Sequence, residues 1–89
     1  MVVEKLSSAV YTPLDDGTGV LLNLETLVYF SLNRTAAAVW QQIEAHKSSS
    51  FDELTALVCE KFDVSANTAH QEIVSFVRRL EQLGVVHLL

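Results

Sequence analysis

Three histidines, one cysteine and the one adjacent pair of acids in a glycine-containing turn are the residues of this 89-residue chain best suited to chemistry. His46, His70 and His87 lie far apart, with no partner at i+4 and no cysteine pair, so their spacing does not predict a metal site. Cys59 sits between Val58 and Glu60 in a helical pattern with no nearby histidine to activate it. It therefore reads as a packing residue rather than a nucleophile, and a single thiol excludes an internal disulfide. Asp15-Asp16 belongs to a glycine-containing turn and reads as solvated. Gly17-Thr18-Gly19 lacks the later Gly and Lys of a phosphate loop, and no Ser-His-Asp set follows from spacing. No catalytic residue, metal or cofactor is expected.

Composition points to a binding module. Apolar residues make up 49% of the chain and charged residues 19%, enough for one folded domain over residues 1–89 and too little chain for a second core. Six Lys+Arg against eleven Asp+Glu leave a net charge of −5, a poor balance for phosphate binding. The start, Met1-Val2-Val3-Glu4-Lys5-Leu6, has neither the basic region nor the apolar run of a secretory signal, and no window is long enough to span a membrane. A cytoplasmic protein is expected.

The elements that would position any site fall into two groups. Residues 8–12, 20–23 and 28–32 are short runs of strand-forming residues. A turn over 14–19 separates the first two, and the four residues 24–27 suit a hairpin loop. They predict an antiparallel meander with 28–32 at its edge. Three helices follow. Asn33 caps the first, whose apolar face is Ala36, Val39, Trp40 and Ile43. Lys47-Ser48-Ser49-Ser50 breaks it, and Ser50 with Glu53 forms a capping box for the second, which carries Phe51, Leu54, Leu57, Val58 and Phe62. Ser65 caps the third, with Ala66, Ala69, Ile73, Phe76, Val77, Leu80 and Leu83 on one side. Gly84 stops it, and Val85 to Leu89 form an apolar tail.

Two features of this plan suggest a surface for a partner. At 100° per residue Val74 lies about 60° beyond Val77, which widens the apolar sector of the third helix past what one core needs. Val74 is bordered by His70, Arg78 and Glu81, as at the rim of a groove. In strand 28–32, Val28, Phe30 and Leu32 share the face expected against the core, and Tyr29 and Ser31 share the other. That strand has no internal Pro, Lys or Glu to discourage pairing, so it is open to a strand from a partner.

These segments resemble PqqD-like proteins. The resemblance rests on Val20-Leu21-Leu22-Asn23 with Val28-Tyr29-Phe30-Ser31-Leu32-Asn33, then Ala36-Ala37-Ala38-Val39-Trp40. It continues through Ser50-Phe51-Asp52-Glu53-Leu54, Phe62-Asp63-Val64 and the run from Glu72 to Val86. It spans roughly residues 8–88 and is carried by hydrophobic spacing rather than by catalytic signatures. The family's hairpin usually reads Asp-x-x-x-Gly. The matching positions here are Asn23 and Leu27, and Leu is unfavourable where the backbone needs a positive φ.

The resemblance implies an α+β winged helix-turn-helix fold, a three-stranded antiparallel sheet followed by three α-helices. It also implies a non-catalytic adaptor in the biosynthesis of ribosomally made, modified peptides. The leader of a precursor peptide would add as a strand along Val28, Tyr29, Phe30, Ser31 and Leu32. Val74 and Val77, with Tyr29, would supply pockets, and His70, Arg78 and Glu81 the rim. The stand-alone length most resembles the leader-binding subunit of lasso-peptide pathways, whose partners are a separate leader peptidase and a downstream cyclase. A PqqD-type peptide chaperone of quinone-cofactor biosynthesis is the alternative. A DNA-binding helix-turn-helix is the third reading, with Asn67, His70 and Gln71 on its recognition helix. Charge opposes it: between Ser50 and Gly84 three bases (Lys61, Arg78, Arg79) face six acids (Asp52, Glu53, Glu60, Asp63, Glu72, Glu81), a net −3.

Overall fold

Local signals start and stop each helix where the sequence places them. In the computed structural model, which describes residues 1–89, helix α1 spans Arg34–His46, α2 Phe51–Phe62 and α3 Ala66–Leu83. The Asn33 side chain accepts from the Ala36 N–H at 2.9 Å and Ser65 Oγ from the Thr68 N–H at 3.2 Å. Ser50 and Glu53 form both bonds of the capping box. Each of these caps satisfies an amide that the helix itself leaves unpaired. At the other ends Lys47, Asp63 and Gly84 take the left-handed conformation. Three residues, 63–65, join α2 to α3 as a helix-turn-helix.

The main sheet contains β2 (Ala9–Pro13), β3 (Gly19–Asn23) and β4 (Val28–Leu32), antiparallel in the order β2-β3-β4. Tyr11 pairs with Leu21, which pairs in turn with Phe30. Gly19 leaves room for the Tyr11 ring, which a Cβ at that position would displace. The Tyr11 hydroxyl accepts from Gln41 Nε2 at 3.4 Å, tying the sheet to α1. In the β2–β3 turn the Thr18 hydroxyl and N–H both donate to Asp16 Oδ1, at 2.5 and 3.0 Å. These bonds, the hydroxyl one foremost, hold the Asp16 carboxyl below its usual range.

A second sheet departs from the expected plan. β1 (Val2–Lys5) is its central strand, flanked antiparallel by β5 (Ser48–Ser50) and β6 (Val86–Leu88). The segment read as a helix break and the segment read as a tail are thus both strands, joined by an N-terminal segment given no structure at all. Val2 and Leu89 exchange both backbone hydrogen bonds, at 3.1 and 2.9 Å. Lys5 Nζ reaches Glu44 Oε2 at 3.8 Å, and the Trp40 indole donates to the same carboxylate at 3.0 Å.

One core of 16 buried residues joins both sheets and all three helices, with Trp40, Leu21, Leu32, Ile43, Leu54 and Ile73 fully or almost fully enclosed. Ala66, expected on the core side of α3, is exposed in its first turn. Val28 also departs from expectation, at 52% exposed. It stands at the hairpin end of β4, where the strand has run past the helices that cover Phe30 and Leu32.

Candidate functional site: an open strand edge beside a helix-walled cleft

β4 is an edge strand, hydrogen-bonded to β3 on one side only. In an antiparallel ladder alternate residues turn their N–H and C=O away from the neighbour, so the free side of β4 presents a row of unpaired backbone groups. Val28 and Tyr29, 52% and 66% exposed, add apolar surface at the hairpin end, while Ser31 is exposed further along. Leu32 is 2% exposed and contributes backbone alone.

The hairpin that carries this edge is fixed to the end of α3 by Asn23. Its Nδ2 donates to the Leu83 carbonyl at 2.7 Å, while its Oδ1 accepts from the Glu25 N–H at 2.9 Å. The Ser8 carbonyl accepts from the Leu24 N–H at 2.9 Å, and Ser8 Oγ donates to the Gly84 carbonyl at 3.3 Å. The loop closes with Leu27 at φ 61° and its N–H on the Asn23 carbonyl at 2.8 Å. The positive φ associated with this position is therefore retained with Leu in place of Gly.

At the far end of β4 the chain enters α1, and a cleft of about 560 Å³ opens between that helix start and α3. Most of its lining residues are polar, Asn33, Glu72 and Arg79 among them, and the half-buried Ala36 and Phe76 are its accessible apolar part. Glu72, Phe76, Arg79 and Leu83 are spaced four, three and four along α3, so they form one line down the helix. The Leu83 carbonyl lies at the end of β3, where Asn23 pairs with Val28, and Phe76 lies beside the start of α1, so the line leads from one end of β4 toward the other. β4 consequently runs antiparallel to α3, its Val28 end near Leu83 and its Leu32 end near Glu72 and Phe76.

The residues proposed for the helix flank are divided by this arrangement. Val77 is 0% exposed and belongs to the core, so it cannot line a pocket. Val74 is about 160° round the helix from Phe76, away from the sheet-facing line. His70, Val74 and Arg78 line a shallow hollow of about 550 Å³ on the adjoining face of α3, which meets the cleft at Gln71, Ser75 and Arg79. Glu81 is exposed and lines neither space. Phe76 and Leu83, expected on the core side of α3, are only partly buried, and Phe76 borders the cleft with Glu72 and Arg79. The signal for the cleft was the line Glu72-Phe76-Arg79-Leu83.

No three His, Cys, Asp or Glu side chains group where they could hold a metal ion, and no helix is long and apolar enough to cross a membrane. Fold and site together define a winged helix-turn-helix domain whose sheet edge stays open beside its third helix. The chain belongs to the PqqD family: the model for coenzyme PQQ synthesis protein D (PqqD) matches residues 18–86. No curated protein matches it. Among solved structures, the fold is similar to TbiB1 in complex with the TbiA(beta) leader peptide, at 23% identity over 94% of each chain and a TM-score of 0.84. It is also similar to a lasso peptide synthetase B1 complexed with the leader peptide, at 22% identity over 97% of this chain and 98% of that one, with a TM-score of 0.79.

Proposed function

We propose that this protein is a non-catalytic adaptor that binds the leader of a ribosomally made precursor peptide, of lasso-peptide type, and presents it to a separate leader peptidase. The observation that carries this reading is the open edge of β4, with Val28 and Tyr29 exposed, beside a cleft that Phe76 borders. A peptide added as a strand gains main-chain hydrogen bonds from Val28 to Leu32, and its side chains gain specificity in the neighbouring cleft. Such a ligand needs no deep pocket, which suits a domain of 89 residues. Two similar folds are solved with leader peptides bound, which supports the same class of ligand here. A PqqD-type role toward a quinone-cofactor precursor uses the same edge and differs only in the peptide.

The direct test is fluorescence anisotropy with a labelled leader peptide of lasso type. Saturable binding is expected, weakened several-fold or more by Tyr29→Ala and unchanged by Arg78→Ala on the outer flank of α3. No saturable binding at tens of micromolar, about the weakest range useful to an adaptor, overturns the reading. Adding the chain should also accelerate cleavage of the precursor by its peptidase, an effect lost with Tyr29→Ala. A leader of the quinone-cofactor class binding more tightly than the lasso-type leader would select the alternative.

A further inference from the structure

Ladder hydrogen bonds to an edge strand are the same after a two-residue slip, so register and direction have to come from side chains. Two charged groups are placed to supply them. Glu72 and Arg79 are both exposed and both line the cleft at the end of β4. Neither is in an ion pair; the only salt bridge in the protein joins Lys5 and Glu44. Seven residues apart on α3, they are separated by about 10 Å along the helix axis, so their charges act on different parts of an extended peptide. They also lie on the same line as Phe76, which keeps both next to the path of any strand laid between β4 and α3.

We propose that Glu72 and Arg79 read the direction and register of the bound peptide. They favour a segment with a basic side chain toward its N-terminal end and an acidic one toward its C-terminal end. The polarity follows from the fold. Both pairings in the main sheet are antiparallel, and an added antiparallel strand continues that ladder with the better bond geometry. Since β4 runs against α3, a strand antiparallel to β4 runs along α3, meeting Glu72 first and Arg79 later. Reversing the peptide sets like charges against each other at both positions. The inference rests on the strand-addition reading of this site.

The test uses three synthetic peptides sharing one β-forming apolar centre. One carries Lys before the centre and Glu after it, one the reverse, and one Gln at both places. In anisotropy titrations the Lys-first peptide is expected to bind about three- to tenfold more tightly than the Glu-first peptide, the scale of two exposed charge pairs. The neutral peptide should fall between them, and the gap should close near about 1 M salt. The double variant Glu72→Lys, Arg79→Glu should reverse the order, while Arg78→Glu, outside the cleft, should preserve it. Equal affinities, or a Glu-first preference in the unaltered chain, overturn the charge reading and leave strand addition standing. Failure of all three peptides to bind overturns strand addition at this edge, and the charge reading with it.

Discussion

Asn23 is where the hairpin and the third helix meet, and its chemistry explains a departure from the family's usual aspartate. One amide supplies a donor to the Leu83 carbonyl and an acceptor to the Glu25 N–H, whereas an ionised carboxylate only accepts. Asn23→Asp would place a negative charge, 3% exposed at this position, against the carbonyl-rich end of α3, where the helix dipole also opposes it. We expect a loss on the order of 2 kcal/mol at neutral pH, read as a lower urea midpoint. The sign of its pH dependence is fixed. Burial beside a carbonyl raises the introduced carboxyl's pKa above its unfolded value. Protonation therefore restores a donor, and the deficit shrinks as pH falls through that raised pKa. A deficit that stays constant or grows between pH 7 and about 5 would show that the Leu83 contact is not what holds the hairpin.

At the scale of elements, how legible the sequence was depends on how local the signal is. The three helices carry their own caps and periodicity, and β2, β3 and β4 carry β-branched and aromatic residues, so both groups could be placed. The sheet of β1, β5 and β6 could not. Ser48-Ser49-Ser50 has no strand character of its own, and its pairing with Val2, Val3 and Glu4 spans more than forty residues of chain. The cleft was half legible: the strand edge was visible as a run without guarding residues, but which border of α3 faces it depends on how the helix is rotated against the sheet. The hidden sheet makes its own prediction. Val3 is 0% exposed at the centre of β1, so Val3→Ala should cost about 2 kcal/mol, comparable to Val58→Ala in the middle of α2. A cost near zero in chemical denaturation would mean that β1 is not part of the cooperative fold. Leader affinity at saturating stability should be unaffected, since β1 lies outside the β4 cleft.

Over the whole molecule, the charge distribution separates two uses of one helix-turn-helix shape. A recognition helix for DNA would put Asn67, His70 and Gln71 toward the bases, and all three are exposed. Affinity for a duplex, however, comes mainly from cations set against phosphates. Arg78 and Arg79 lie two to three turns further along α3, Asp63 sits just before that helix, and the chain as a whole carries −5. An open strand edge is indifferent to this deficit, because its main-chain groups are neutral. In a gel shift at low salt, where non-specific association is strongest, the protein should leave duplex DNA unshifted at concentrations that saturate a leader peptide. A retained complex that weakens steeply as salt rises would reveal released counterions, and with them a cationic surface that this fold does not assemble. The net acidity should also speed the encounter with a basic leader and slow it with an acidic one. That effect belongs to the association rate and fades with ionic strength, whereas the ordering imposed by Glu72 and Arg79 depends on where the charges fall along peptides of identical composition and net charge. Comparing the Lys-first and Glu-first peptides therefore cancels the global field and leaves only the local one.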